Sequence, residues 1–230
     1  MTAILGILQT LAAFLGGLLL RLGVVVLIVA ALLAPVALAL GAIRLYRVLR
    51  PTVRGLRRAG HVLYKPGARY AAGHTWLERE GSRVKIGIDG VAQEILPWAL
   101  AVELPRRGAE LVEGEVAAVI SCGGVEARIT APLAGRVVAV NSEVERDPSL
   151  VKEDGYGRGW LFAVEPQDAR WATLPAGEVA RVWLEGESDR LDRFLEARLG
   201  YAGLASRAGP APQVLVGGDW CDLTQAFLHA

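Results

Sequence analysis

The distribution of hydrophobic residues separates an apolar N-terminal part of the chain from a patterned remainder. Residues 22–43 carry no charge and are rich in Leu, Val and Ala, and at 1.5 Å per residue they can cross a hydrocarbon core of about 30 Å. Residues 3–20 are also uncharged, and they fit a first span that turns near Arg21, an interfacial helix, or an extension of the main helix. A cleaved signal peptide is disfavoured, because no basic segment precedes the long apolar run. The pattern predicts a membrane anchor over residues 1–50 with one or two spans.

Alternation of apolar and polar positions marks several short segments after residue 80. In the first segment Val84, Ile86 and Ile88 alternate with polar or small residues, which is typical of a strand buried on one face. Strands are predicted over residues 84–88, 100–104, 116–121, 126–130, 135–140 and 161–164. Residues 147–154 fit a short helix inserted between strands. The predicted fold class is mainly β, as a sandwich or flattened barrel with a short helix insert.

The periodicity changes to three- and four-residue steps after Pro175. An amphipathic helix is predicted over residues 176–199, and its apolar positions are Val179, Val182, Trp183, Leu184, Leu191, Phe194, Leu195 and Leu199. This face is expected to pack on the β domain, since burial in a core is the ordinary fate of such a stripe. A strand over residues 214–216 and a short helix capped by Asp219 complete a C-terminal extension over residues 169–230.

The charges that flank the apolar segment predict its orientation. Only Arg21 precedes residues 22–43, whereas six arginines follow within about fifteen residues: Arg44, Arg47, Arg50, Arg54, Arg57 and Arg58. The positive-inside rule therefore keeps the folded part in the cytoplasm, at a bacterial-type inner membrane. Residues 51–66 form a basic linker in this interpretation. Lipid headgroups are preferred as its partner over nucleic acid, because the net charge of the chain is only +1.

Candidate catalytic chemistry is sparse in this sequence. The two cysteines, Cys122 and Cys221, suit a reducing compartment, and the histidines His61, His74 and His229 are scattered. No metal-ligand spacing, nucleophile–base pair or phosphate loop is recognisable. The sequence therefore predicts a protein that is not an enzyme, with no cofactor, metal or small-molecule substrate.

Ordered motifs between His74 and Trp160 resemble a known family. His74-Thr75-Trp76-Leu77, residues 84–88, Ala131-Pro132 with residues 133–141, and residues 147–161 resemble the corresponding motifs of the glycine cleavage system H protein. The resemblance implies a lipoyl/biotinyl-type β sandwich over residues 67–168. It also implies a modified lysine on a β-hairpin.

That lysine is absent. Counting back from Ala131-Pro132 without a gap, the family's Glu-Ser-x-Lys falls on Ser121-Cys122-Gly123-Gly124, so Gly124 occupies the carrier position. The only lysines, Lys65, Lys85 and Lys152, lie elsewhere in the sequence, and an arginine guanidinium does not replace a primary amine in amide formation. The chain is therefore predicted to lack a lipoyl group.

Three functions follow from a carrier domain without its lysine. The preferred hypothesis is a structural or docking subunit of a membrane-associated complex, with a protein partner and membrane lipid as contacts. The alternatives are a thiol-based carrier or redox protein that uses Cys122, and a decoy for enzymes that bind lipoylated H protein. Gly123-Gly124 fits either a tight hairpin turn or a site that another backbone approaches closely.

Overall fold

The computed structural model describes residues 15–17, 21–24, 27, 29–42, 55–96, 101–122, 125–199 and 217–228. The chain forms two compact units, residues 1–54 and residues 55–230.

The N-terminal unit contains a long helix, α1 (Leu15–Ala42), of 28 residues. Its described residues are exposed, and its most apolar stretch has a mean hydropathy of 2.9. By length and composition this helix can cross a membrane. The helix continues through Arg21, as expected if part of residues 3–20 extends the main helix. Residues 3–14 and Ile43 lie outside the described residues.

The second unit combines short antiparallel strands with helices. Its elements are β1 (Arg57–Ala59), β2 (Val62–Tyr64), β3 (Arg69–Ala71), β4 (Thr75–Glu80), β5 (Arg83–Ile88), α2 (Gly90–Ile95), β6 (Ala101–Glu103), β7 (Glu110–Leu111), β8 (Val116–Cys122), β9 (Val125–Thr130), β10 (Gly135–Val140), α3 (Ser142–Arg146), α4 (Leu150–Glu153), β11 (Phe162–Pro166), a 3-10 helix (Arg170–Thr173), α5 (Gly177–Leu199) and α6 (Gly217–Leu228). The strands form sheets in the orders β1-β2, β3-β4-β5-β11-β10-β7 and β6-β8-β9.

The two larger sheets share one hydrophobic core. Leu77 and Ile86 of the six-stranded sheet belong to the same buried cluster as Ile120 and Ile129 of the three-stranded sheet. This arrangement confirms the mainly β fold class, and strands β5, β6, β8, β9, β10 and β11 coincide with the predicted segments. Alternation is the physical reason, since in β9 Ile129 is fully buried between the exposed Arg128 and the half-buried Thr130.

The sequence pattern predicts the buried face of helix α5 only in part. Val179 and Val182 are 67% and 56% exposed. The buried row instead follows four- and three-residue steps from Ala180 through Leu184 and Ser188 to Leu191 and Leu195. Ser188 can face inward because its hydroxyl has a hydrogen-bond partner, His61 Nδ1, at 2.8 Å.

The expected basic linker over residues 51–66 contains folded structure. Strands β1 and β2 form a hairpin within it, and Ala59, Val62 and Tyr64 are buried in a second core that α5 helps to enclose. These strands have only three residues each, which is too short for a recognisable alternation pattern. Residues 51–54 lie outside the described residues.

Helix α6 packs along β9. It begins at Gly217, so Asp219 lies inside the helix instead of capping it; the predicted strand at residues 214–216 lies outside the described residues. Leu223, Phe227 and Leu228 are buried, and Leu228 belongs to the core between the two large sheets. The helix is therefore an integral part of the second unit.

Candidate functional site

The β8–β9 hairpin carries the three residues that the sequence singled out. The register pairs Ser121 with Glu126 and Cys122 with Val125, so only two residues connect the strands. Those two residues, Gly123 and Gly124, and the side chain of Cys122 lie outside the described part of the chain. The hairpin therefore has the two-residue connection that Gly-Gly suits, because such turns require positive φ angles.

Helix α6 stands directly beside this hairpin. Glu126 and Arg128 of β9, with 3.7 Å between their charged groups, line a groove of about 320 Å³ together with Cys221, Thr224 and Gln225 of α6. Cys221 is exposed and not in a disulfide, and Thr224 donates a hydrogen bond to the Cys221 carbonyl. Any molecule that approaches the outer face of β9 meets α6 as well.

The three lysines all lie outside β8 and β9. Lys65 pairs with Glu78 at 2.6 Å, and Lys85 on β5 pairs with Glu80 at 2.9 Å. The ammonium of Lys152 donates to the Leu96 carbonyl, and burial lowers the pKa of this lysine. No primary amine of a lysine side chain thus belongs to the hairpin strands.

A buried ionic cluster attaches the C-terminal extension to the β domain. His74 Nδ1 lies 2.9 Å from Asp89 Oδ2, and Nε2 lies 3.6 Å from Glu187 Oε2 of α5. The imidazole stacks on Trp183 of α5 with 5.4 Å between the ring centres, and it also approaches Phe227 of α6. Burial alone would lower the pKa of His74, but Asp89 and Glu187 outweigh that effect and raise its pKa to about 9.

Asp89 also caps the N-terminus of helix α2. Its other carboxylate oxygen accepts hydrogen bonds from the backbone of Val91 and Ala92 and so caps α2. The nearby His74 imidazole lowers the pKa of Glu187, and Arg190 at 3.0 Å adds to the effect. The sequence analysis treats His74 as one of three scattered histidines and as part of a family motif, and it identifies neither carboxylate. The spacing gave no signal for either, whereas the Asp89 cap before a short apolar run could have predicted α2.

A second histidine brings together a serine and an aspartate without forming a catalytic triad. Ser188 Oγ and Asp192 Oδ2 both face Nδ1 of His61, at 2.8 Å and 3.4 Å. In a triad the nucleophile and the acid use opposite ring nitrogens, and Ser188 is fully buried. The contact holds the β1–β2 hairpin against α5.

The membrane-flanking arginines are only partly described. Arg44, Arg47, Arg50 and Arg54 lie outside the described residues, whereas Arg57 and Arg58 are exposed on β1. Across the described ranges, no group of three His, Cys, Asp or Glu side chains is arranged to hold a metal ion.

The fold and the hairpin together define a lipoyl-carrier type of β sandwich. The family model for the glycine cleavage H-protein matches residues 68–181. The H protein of Thermus thermophilus is 40% identical over 99 residues, which cover 43% of this chain and 77% of the relative. The H protein of Chromobacterium violaceum is 42% identical over 103 residues, which cover 44% of this chain and 80% of the relative. The H protein of Deinococcus deserti is 43% identical over 97 residues, which cover 42% of this chain and 78% of the relative. The chain belongs to the glycine cleavage H-protein family.

A crystal structure of the H protein from Mycobacterium marinum is also similar. It has 27% sequence identity and a TM-score of 0.46, covering 54% of this chain and 99% of that one. The family model ends at Arg181, five residues into α5. Most of α5 and all of α6 therefore lie beyond the matched segment. Members of the family are lipoyl carriers and not catalysts themselves.

Proposed function

We propose that this chain is a non-lipoylated H-protein-like subunit that is anchored in a membrane and docks a protein partner at the cytoplasmic face. The observation that carries the proposal is Gly124 at the carrier position of an otherwise preserved framework. Lipoylation requires an amine on the hairpin, and the nearest lysines in sequence, Lys85 and Lys152, lie in β5 and α4.

The apolar helix supports the anchoring. The uncharged stretch between Arg21 and Arg44 is about 33 Å long at 1.5 Å per residue, close to the thickness of a hydrocarbon core. Arg21 would then lie at one interface, where its long side chain reaches the headgroups. Arg44 and the arginines after it would lie at the other interface, which the positive-inside rule assigns to the cytoplasm.

The hairpin and the C-terminal extension are the proposed contact surface. They lie side by side, since α6 packs along β9 and lines one groove with it. Two glycines stand in the sequence where the family has its lysine, and residues without side chains allow another backbone to approach closely. Anchoring assists association, because confinement beside a partner raises the effective concentration.

Purification from native membranes in mild detergent tests the docking function. We expect stoichiometric co-purification of a partner chain, and we expect Gly124→Trp to reduce its recovery while the domain stays folded. Ser82→Trp is the matched control, because Ser82 also lies in a two-residue hairpin connection, where Glu80 of β4 pairs with Arg83 of β5. Equal recovery of the partner with both variants would contradict docking at the β8–β9 hairpin.

Two further measurements separate the competing functions. Intact-mass analysis of protein from lipoate-replete cells should show no lipoyl adduct; an adduct on Lys65, Lys85 or Lys152 would refute the proposal. Cys122→Ser should leave the complex intact if the chain is a docking subunit, whereas it should abolish activity if Cys122 is a carrier thiol.

A further inference from the structure

The charges of this chain are segregated along its length. Of the 25 Lys and Arg residues nine precede Glu78, but none of the 24 Asp and Glu residues does. The remaining sixteen cations and 24 carboxylates give residues 78–230 a net charge of −8. The net charge of +1 therefore conceals a basic segment and an acidic remainder.

The last part of the basic segment is folded. Arg57 and Arg58 are both exposed on β1, whereas Ala59 and Val62 at the turn of the β1–β2 hairpin are buried. The His61–Ser188 hydrogen bond and the His61–Asp192 contact fix this hairpin to α5. Two guanidinium groups are thus presented on a rigid support and not on a free linker.

These two arginines differ from several other arginines of the domain, which form ion pairs. Arg83, Arg136 and Arg158 each pair with a carboxylate at 3.0 Å or less. In the part of the chain that the structure describes, no carboxylate lies within ion-pair distance of Arg57 or Arg58. Their charges remain available to an external anion.

The length of the chain brings them within reach of a membrane surface. Fifteen residues separate Ala42, where α1 ends, from Arg57, and fifteen residues span at most about 54 Å. Arg44, Arg47, Arg50 and Arg54 lie in the same interval. Attraction to an anionic bilayer would bring Arg57 and Arg58 closer to its surface, while the acidic residues 78–230 would be repelled from it.

We propose that the β1–β2 hairpin, through Arg57 and Arg58, is a docking surface for the headgroups of anionic lipids. The inference rests on the proposed membrane anchoring and adds the lipid class and the residues that bind it. Two arginines near an anionic surface favour contact by a factor on the order of 30 at low ionic strength. The same contact weakens in salt, since the Debye length falls from about 10 Å at 0.1 M to about 3 Å at 1 M.

Hydrogen–deuterium exchange of the full chain in nanodiscs tests this proposal. We expect the amides of residues 57–64 to exchange on the order of tenfold more slowly in phosphatidylcholine with about 30% phosphatidylglycerol than in phosphatidylcholine alone. The difference should disappear at about 1 M NaCl and in the double variant Arg57→Gln/Arg58→Gln. It should persist in Arg106→Gln/Arg107→Gln, which removes the same charge from an exposed pair between β6 and β7.

The outcomes separate this inference from the proposed function. Equal exchange in the two lipids, or equal effects of the two double variants, would overturn lipid docking by the hairpin even if the chain resists extraction by alkaline carbonate. Release of the chain by carbonate would instead refute the anchoring itself, and with it the inference.

Discussion

The ionic cluster around His74 predicts a pH dependence of stability with a defined sign. His74 has a pKa of about 9 in the folded protein and about 6.5 in the unfolded chain, so the folded state binds the proton more tightly. The stabilisation is complete below pH 6.5 and is lost as the pH rises through 9. A difference of about 2.5 pKa units corresponds to about 3 kcal/mol in the free energy of unfolding.

The measurement is urea unfolding of the full chain in mild detergent, followed by tryptophan fluorescence. All six tryptophans lie at or after Trp76, so the signal reports on the β domain and its extension and not on α1. Wild type and His74→Gln are compared at pH 6, 7.5 and 9.5. We expect the difference in unfolding free energy between them to shrink by about 3 kcal/mol across this range.

The comparison isolates His74 from other titrating groups. Burial raises the pKa values of Tyr70 and Tyr156, so neither phenol ionises in the folded state in this window, and groups common to both proteins cancel. His61→Gln removes a second histidine that contacts α5 and should retain the pH dependence. A difference between wild type and His74→Gln that stays constant or grows with pH would falsify the assigned cluster.

Three further predictions follow from single contacts and from the charge pattern. Gly186→Ala in α5 should stabilise the protein by about 1 kcal/mol, since no atom lies within 4 Å of the new methyl group. Gly87→Ala should destabilise the protein, because its methyl group would lie 2.7 Å from the Trp76 ring. Urea unfolding measures both changes, and stabilisation by Gly87→Ala would contradict the packing. The Gly124→Lys variant should remain poorly lipoylated by a lipoate ligase with lipoate and ATP, because α6 stands beside β9 and hinders access of the ligase. Intact-mass analysis measures the lipoyl adduct. Modification as complete as that of an H protein would show that α6 does not hinder the ligase. Protease added to sealed right-side-out vesicles should leave residues 67–230 intact, and their digestion would reverse the topology.

The strands of the sandwich were predictable because their signal is local. The buried positions alternate over residues 126–130 in β9, and over the shorter stretches 83–86 in β5 and 118–121 in β8, so each side chain is assigned by its immediate neighbours. The assignment of Gly124 to the carrier position stays a prediction, and it depends on counting from Ala131-Pro132. Both inferences require only a continuous stretch of chain.

The features that the sequence did not predict depend on contacts between residues far apart in the chain. The buried residues of β1 and β2 pack against α5 and α2, which lie far along the chain, and the inward position of Ser188 depends on His61. The His74 cluster joins three elements, and no periodicity connects His74 with Asp89 or Glu187. The apolar character of Val179 and Val182 gave a false signal, because the helix orients by its best-packed row and leaves these two residues in solvent.

Helix α6 has a consequence for the rates of folding and unfolding. Phe227 of α6 contacts His74, and the guanidinium of Arg190 lies 4.6 Å from the centre of the Phe227 ring. Docking of α6 therefore closes a loop between His74 and Phe227 that spans most of the domain. Contacts of such long sequence separation form slowly, because loop closure precedes any gain from packing. Interactions that form after the transition state slow unfolding more than they speed folding. Docking of α6 thus mainly slows unfolding. We expect Phe227→Ala to increase the unfolding rate more than it changes the folding rate.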